Sequence, residues 1–303
     1  MLKNRQFTAD MMLLLVTLCW GISYYLMDVA LRELGPLTLN AYRFLGAFLV
    51  ALLFSWKRLL HVSRTTLKYS LFLGIALFFV YTSVTFGVQF TTLSNSGFLC
   101  ALTVIFTPIM GFVFLKQKIS RKMALSVLIC FLGIALLTLK DDFSINTAHL
   151  KGDVLCILCA VFYAVDLLLT ERAVKNEEVD PYQLGVFQLG ITGLLSLIFA
   201  IIAETPQLPS APDVLGAVVF LSIFCTGVAF IVQPIAQQYT TASHVGVIYA
   251  LEPVFAGAVA FVLAGEVLTV KAYIGAVLMM ASIFIMEIDF KRLFSKKKEG
   301  TEV

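Results

Sequence analysis

Charged residues are scarce in this sequence. Asp, Glu, Lys and Arg make up 14% of its 303 residues, whereas 60% are hydrophobic, and the mean hydropathy is +0.94. Soluble domains carry about 25% charged residues, so this chain has too little polar surface to coat a soluble domain of its length. Uncharged stretches such as 11–27 and 181–203 approach or exceed the roughly 20 residues that a helix needs to cross a bilayer. The composition therefore predicts an all-α integral membrane protein.

The sequence also lacks the motifs of ATP-driven pumps and of common hydrolases. It has no Gly-x-x-x-x-Gly-Lys-Ser/Thr loop, no His-Glu-x-x-His and no Gly-x-Ser-x-Gly. Its six cysteines all fall in apolar stretches, where a free Cys behaves as a small hydrophobe. Even Cys156 and Cys159 have no second Cys or His pair near them. We therefore expect a protein that is not an enzyme and that holds no disulfide, metal or cofactor.

Two uncharged runs, 69–115 and 214–251, are each too long for one helix and must fold back once. Clusters of Gln and Thr at 89–92 and 237–241 supply the turns, because only there does each run have several adjacent hydrogen-bonding side chains. The chain then contains ten transmembrane helices, which we predict near residues 10–31, 38–56, 68–89, 94–115, 122–140, 152–170, 182–203, 213–236, 243–264 and 270–289.

Lys and Arg are unevenly distributed between the two sides of such a bundle. With a cytoplasmic N-terminus, 17 of the 22 basic residues fall on the cytoplasmic side, as the positive-inside rule requires. Both termini are then cytoplasmic. Residues 291–303 form a basic tail, which favours the anionic inner leaflet of the lipid bilayer rather than a nucleic acid. We expect a multi-pass protein of the cell membrane, specifically a bacterial inner membrane.

The second half of the chain repeats the first. Residues 89–139 align with 238–288 at an offset of 149, with 12 identities in 51 pairs and Gln-x-Thr-Thr-x-Ser in both halves. Offsets of 143 and 145 align the earlier helices, so that Ser23 matches Asp166 and Pro36 matches Pro181. Because each half holds five helices, equivalent helices cross the membrane in opposite directions. The sequence predicts two inverted five-helix repeats, 1–145 and 146–290, an arrangement that serves alternating access in secondary transporters.

Several segments of the chain resemble one family of membrane proteins. They are 18–24 (LCWGISY), 40–44 (NAYRF), 238–243 (QYTTAS), 250–256 (ALEPVFA) and 263–268 (LAGEVL). Together they resemble the EamA-type members of the drug/metabolite transporter superfamily, to which aromatic-amino-acid exporters belong. The resemblance covers the chain through residue 290. It implies a ten-helix transporter whose central cavity is lined mainly by helices 1, 3, 4, 6, 8 and 9. The chain departs from the family where Gln117 stands in place of the carboxylate that Glu266 keeps.

Three ionisable residues lie well inside predicted spans, where a charge is costly: Arg43, Asp166 and Glu252. Glu252 is either a substrate or proton site, or a partner for the backbone that Pro253 leaves unpaired. Asp166 is a candidate substrate contact, with the alternative that it reaches water at the cytoplasmic end of its helix. Arg43 is predicted to be a structural charge that reaches outward or pairs with Asp28. A direct substrate role is its alternative.

Aromatic and polar residues on the helices that face the predicted cavity complete the candidate site. Each of them, taken singly, is also explained as a helix-packing or interface residue. His244, at the start of a helix, is expected to be solvated. The candidate substrate-binding residues are Trp20, Ser23, Tyr24, Tyr81, Asn95, Thr103, Tyr163, Asp166, Gln233, Tyr249 and Glu252.

The predicted function is secondary transport of a small organic solute by alternating access, with efflux of an amino acid or an amphipathic, drug-like amine as the expected activity. The alternative is a membrane protein that does not transport, such as an embedded enzyme or a receptor. An embedded enzyme would gather several catalytic polar groups near one interface, whereas here they are spread over both halves. Small residues at 256, 257, 260 and 264 suit packing within the bundle, with a homodimer seam as the alternative.

Overall fold

The computed structural model describes residues 2–91, 93–138, 149–264 and 270–287, and the regular structure within these ranges is helical. The helices are α1 (Leu2–Ala30), α2 (Pro36–Leu59), α3 (Arg64–Phe90), α4 (Leu93–Ala101), α5 (Thr103–Leu115), α6 (Arg121–Thr138), α7 (Leu150–Val174), α8 (Pro181–Ala203), α9 (Pro212–Phe220), α10 (Ala229–Gln237), α11 (Ala242–Tyr249), α12 (Glu252–Ala264) and α13 (Val270–Glu287). A π-helical segment, Leu221–Val228, joins α9 to α10.

Among the described residues, seven helical stretches are long and apolar enough to cross a membrane. They are Arg5–Ala30, Pro36–Leu59, Arg64–Phe90, Leu150–Val174, Pro181–Ala203, Pro212–Gln237 and Ala242–Val259, and shorter apolar helices cover Leu99–Leu115 and Tyr273–Ile285. The helix boundaries near 90 and 240 coincide with the two Gln and Thr clusters. An all-helical membrane protein is therefore confirmed, whereas the count of ten spans and the side of the termini stay predictions.

Helices α2 and α8 both begin with a proline, whose missing N–H is harmless in the first turn. Asp180 caps α8 by accepting hydrogen bonds of 2.8 and 3.0 Å from two backbone N–H groups. The equivalent residue before α2 is Gly35, which has no capping side chain. The Glu204 carboxylate at the end of α8 caps α2 instead. It accepts hydrogen bonds of 2.9 Å from the backbone N–H groups of Leu37 and Thr38. A Cβ on Gly35 would lie 2.2 Å from a Glu204 oxygen, so glycine leaves room for this cap.

Two helical stretches are interrupted at equivalent points of the halves. Helix α4 ends at Ala101 and α5 begins at Thr103, while α11 ends at Tyr249 and α12 begins at Glu252. The offset of 149 aligns these two breaks, so that Thr103 matches Glu252. Pro253 follows the second break and has no N–H to donate to the preceding turn. The breaks place Thr103 and Glu252 at the start of a new helix in the middle of each stretch.

Helix packing is matched between the halves. Helix α1 packs against α11 and α12, and its equivalent α7 packs against their equivalents α4 and α5. Helix α3 packs against α7, and α1 packs in the same way against α9, the π segment and α10. Helix α2 also packs on α8, and α6 on α13. Gly21 permits the close α1–α12 contact, because a Cβ there would lie 2.5 Å from the Cβ of Phe255 and 2.9 Å from the nitrogen of Ala256. The start of the small-residue row on α12 is therefore used within the bundle.

Candidate functional site

A cavity of about 60 Å³ lies between α1, α3, α4, α7 and α12. This volume holds about four to six water-sized groups. Six candidates from the sequence line it, namely Trp20, Ser23, Tyr24, Tyr81, Tyr163 and Glu252, together with Met27, Val80, Val84, Cys100 and Cys159. The structure thus brings together residues that are more than 200 positions apart in the sequence.

Trp20 is the centre of an aromatic wall beside the cavity. Its ring centroid lies 5.8 Å from that of Tyr163 and 4.7 Å from that of Tyr249, and the two tyrosine rings stack at 6.1 Å. Its indole Nε1 donates to the carbonyl oxygen of Cys225 in the π segment at 2.8 Å. Such π turns depart from the regular helical bonding pattern and are frequent at functional sites. The ring contacts and the indole hydrogen bond hold Trp20 in one orientation.

Glu252 is the charged residue among the described side chains that line the cavity. It is half-buried at the start of α12, and the side chain of Tyr24 interacts with it. Thr103, its counterpart in the first half, is turned to the backbone. The Thr103 hydroxyl donates to the carbonyl oxygen of Cys100 at 2.8 Å and lies 3.3 Å from that of Ala160 on α7. The equivalent breaks therefore place a carboxylate at the cavity in one half and a buried hydroxyl, bonded to backbone, in the other.

Asp166 lies behind the cavity wall and is fully buried. Gln233 Nε2 on α10 donates to Asp166 Oδ2 at 3.0 Å. Gln233 Oε1 accepts from the hydroxyls of Tyr163 at 3.1 Å and Tyr249 at 3.5 Å. The alternative that Asp166 reaches water is wrong, because α10 and α11 cover this face of α7. Asp166 does not line the cavity, but hydrogen bonds through Gln233 connect it to Tyr163, which does.

Arg43 does not reach outward or pair with Asp28, and this expectation is corrected. Its side chain is 1% exposed, and Nε donates to Thr226 Oγ1 in the π segment at 2.8 Å. The guanidinium carbon lies 4.6 Å from the ring centroid of Tyr81, a cation–π contact. Asp28 pairs with Arg32 instead. The physical reason is that α1, α3 and the π segment enclose the guanidinium and supply neutral partners for it.

The comparisons with known proteins cover both halves of the chain. The EamA-like transporter family matches residues 7–139 and again residues 150–288. The chain belongs to the EamA-like transporter family. The family and the names of its relatives indicate a transporter rather than an enzyme.

Similar proteins of the EamA-like family occur in archaea and bacteria. An uncharacterized transporter of Archaeoglobus fulgidus is 29% identical over 92% of this chain and 86% of its own length. A protein named as a probable amino-acid metabolite efflux pump of Salmonella typhimurium is 23% identical over 92% of this chain and 94% of its own. A solved crystal structure superposes with a TM-score of 0.78 at 18% identity, covering 94% of this chain and 98% of that one. This last likeness shows that the fold is shared.

Some features of this EamA-like transporter escaped the sequence reasoning. Met27 and Cys159 line the cavity, and their helical spacing from Tyr24 and Tyr163 would have found them. The expectation of a solvated His244 is wrong, since it is 7% exposed and its Nε2 lies 3.2 Å from Asp10 Oδ1 on α1. The side chain of Asn95 lies outside the described part of the structure. Within the described residues, no group of three or more His, Cys, Asp or Glu side chains is arranged to hold a metal ion.

Proposed function

We propose that this protein is a secondary transporter that moves a small organic metabolite across the cell membrane, and that the cavity beside Glu252 is its substrate site. One observation carries the proposal: side chains from both family-matched stretches line the same cavity. Helices α1, α3 and α4 come from the first stretch, and α7 and α12 from the second. Such a site is exposed to alternate sides when one half rocks against the other.

The two matched stretches are, in this proposal, inverted five-helix repeats, 1–145 and 146–290, with ten spans and both termini in the cytoplasm. The aligned breaks before Thr103 and Glu252 support it. The packing supports it as well, because exchanging each helix for its equivalent in the other half converts the α1–α12 contact into the α7–α5 contact and the α1–α11 contact into the α7–α4 contact. The pairs α2–α8 and α6–α13 convert into themselves, as pairs do beside a two-fold axis.

The cavity lining favours a solute with an amine next to an apolar or aromatic group. Glu252 supplies the negative charge, and Trp20, Tyr24, Tyr81 and Tyr163 supply ring faces that attract cations and pack on apolar groups. The volume of about 60 Å³ suits a small amine or the amine-bearing end of a larger one. The name of the Salmonella relative, a probable amino-acid metabolite efflux pump, supports efflux as the direction of transport and an amino-acid metabolite as the solute.

Flux measurements in proteoliposomes test the proposal. Purified protein is reconstituted, and uptake of labelled aromatic amines and amino acids is compared with that of empty liposomes. Glu252→Gln should lower flux of the preferred solute at least about tenfold, since the site loses its charge partner for the amine. Glu177→Gln is the matched control, because Glu177 is exposed in the α7–α8 loop, and its flux should equal that of the wild type.

Two results would contradict the proposal in different ways. If no solute crosses faster than through empty liposomes, although thermal shifts show that solutes bind, the non-transporting alternative is favoured. If a solute is transported but flux is unchanged when Asp166→Asn and Glu252→Gln are combined, the cavity is not the substrate site.

A further inference from the structure

A groove separate from the central cavity runs between the ends of α5 and α7. Its wider part, about 390 Å³, is lined by apolar side chains and by five polar or charged ones, Lys116, Gln117, Glu171, Arg172 and Lys175. An adjoining part of about 280 Å³ shares Phe114 and Arg172 with it and is otherwise lined by apolar residues. The groove is therefore basic at one end and apolar along its length.

The charge in the groove is unbalanced, and its apolar part is open. Glu171 pairs with Lys175, so the acid in this lining does not neutralise Lys116 or Arg172. Phe114, which lines both parts, is 71% exposed. In a membrane protein, such an exposed apolar surface faces lipid tails. The groove thus offers two positive charges beside a surface that hydrocarbon can cover.

Lys116 enters the groove from an unusual backbone conformation. It is the non-glycine residue with positive φ in the described part of the chain, at φ 53° and ψ 29°. This left-handed conformation is unfavourable for a residue with a Cβ and natural for glycine. The offset of 149 places Gly265 at the equivalent position of the second half. The first half therefore carries a lysine in the left-handed conformation, whereas the aligned sequence position of the second half carries a glycine.

We propose that this groove binds an anionic phospholipid, with its phosphate at Lys116 and Arg172 and an acyl chain along the apolar part. Arg presents a planar fork that matches phosphate oxygens, and basic pockets between helix ends at the cytoplasmic face suit anionic lipid headgroups. The apolar part selects a lipid over a soluble phosphate. This inference does not depend on which solute the central cavity carries.

Thermal unfolding of the full-length, delipidated protein in neutral detergent tests the proposal. Phosphatidylglycerol should raise Tm by several degrees more than phosphatidylcholine with the same acyl chains, because a ligand that binds the folded state stabilises it. Glycerol 3-phosphate, which carries a phosphate but no acyl chain, should give no shift. The double variant with Lys116→Gly and Arg172→Gln should need at least about tenfold more phosphatidylglycerol than the wild type to reach the same rise in Tm.

Two variants separate binding from folding. Lys116→Gly alone should leave Tm without lipid unchanged or higher, since glycine adopts the backbone conformation without strain, while reducing the lipid response. Lys68→Gln, at an exposed basic position of α3, should respond like the wild type. Equal shifts with the two lipids, or a full phosphatidylglycerol response in the Lys116→Gly and Arg172→Gln double variant, would overturn the proposal. A shift with glycerol 3-phosphate equal to that with the lipid would also overturn it, in favour of a soluble phosphate.

Discussion

Ser23 in the first half and Asp166 in the second occupy equivalent positions of the sequence alignment, yet their hydrogen bonds go to different places. The Ser23 hydroxyl donates to the carbonyl of Trp20 in its own helix at 2.8 Å. Asp166 takes its hydrogen bond from Gln233 on α10. A polar group that is satisfied by its own helix leaves neighbouring helices independent. A polar group satisfied by another helix fixes the two helices relative to each other.

The same contrast recurs at the C-terminal ends of α1 and α7. Asp28 near the end of α1 forms an exposed pair at 3.6 Å with Arg32, just beyond the helix. Glu171 near the end of α7 and Lys175 just beyond it are the equivalent pair, but the Glu171 side chain is 3% exposed and also accepts from the backbone N–H of Ala242 at 2.9 Å. Glu171 therefore ties α7 to the start of α11. We expect this contact to oppose opening of the bundle at this end, which is the cytoplasmic one in the proposed topology.

The largest effect is expected where the second half depends on a contact between helices. Asp166→Ser gives the second half the residue of the first and leaves Gln233 Nε2 without its acceptor. We expect the free energy of unfolding to fall by about 1–3 kcal/mol, measured by thermal unfolding in detergent. Ser23→Ala removes a bond within one helix and should lower it by less than about 1 kcal/mol. Equal losses for the two variants would show that the halves do not differ in this way.

A somewhat smaller effect is expected at the helix ends. Glu171→Ala removes the acceptor and the negative charge at the N-terminus of α11 and should lower the free energy of unfolding by about 1–2 kcal/mol. Asp28→Ala breaks an exposed pair and should change it by about 0–1 kcal/mol.

Cys159 lines the cavity and serves as a reporter of its accessibility in a variant whose other cysteines are replaced. In inside-out vesicles, Glu171→Ala should speed its reaction with a water-soluble thiol reagent. An unchanged rate would argue against closure by Glu171.

Local chemistry made part of the fold predictable from the sequence. The Gln and Thr clusters near 90 and 240 interrupt long apolar runs, and the helix boundaries fall there because polar side chains suit turns. Trp20 and Tyr24, both given as candidates from the sequence, are four residues apart and so share one face of α1, and both line the cavity. Such features depend on residues that are close in sequence, so that a sequence pattern predicts them directly.

Contacts between distant helices were not predictable in the same way. The sequence marked Arg43 and Asp166 as charges inside spans, but their partners, Thr226 and Gln233, lie 183 and 67 residues away. Periodicity shows which residues share a helix face, whereas the partner depends on how far each helix is rotated and shifted against its neighbours. For this reason Asp166 was placed on the cavity surface although it lies behind it, and the Glu171 bond to α11 was missed.

The two halves also differ in the residue that caps α2 and α8, and variants at the α2 cap test this difference. Glu204→Ala should lower the free energy of unfolding by about 1 kcal/mol, because two N–H groups at the start of α2 lose their acceptor. Gly35→Asp, added to Glu204→Ala, should recover most of this loss, since the new carboxylate takes the role that Asp180 has in α8 and the removed Glu204 leaves space for it. Gly35→Asp alone should not stabilise the protein, because its Cβ would meet the Glu204 carboxylate. Thermal unfolding of the three variants is the measurement, and a double variant no more stable than Glu204→Ala would contradict the assignment.

The smallest expected effect is the contribution of Asp180 to the pH dependence of the free energy of unfolding. Partial burial works to raise the pKa of Asp180, but hydrogen bonds from Arg58 and from the backbone N–H groups of Gln183 and Tyr182 outweigh it and lower the pKa below its ordinary value. A lowered folded-state pKa means that the stabilisation is complete above the unfolded-state pKa, about 3.9, and is lost as the pH falls through the folded-state pKa. We expect this ionisation to contribute less than about 1 kcal/mol to the free energy of unfolding, because solvent screens the exposed pair with Arg58.

Asp180→Asn isolates this contribution, because Asn also caps helices but does not ionise. The Tm of the variant should lie slightly below that of the wild type at pH 7, and the two curves should converge as the pH is lowered from about 4. A Tm difference that widens on acidification would mean that the Asp180 pKa is raised rather than lowered. The same titration of Glu204→Ala, in which α8 keeps its own cap, should retain the Asp180 contribution unchanged, because the cap that Glu204 gives to α2 is a separate contact at the other end of α8.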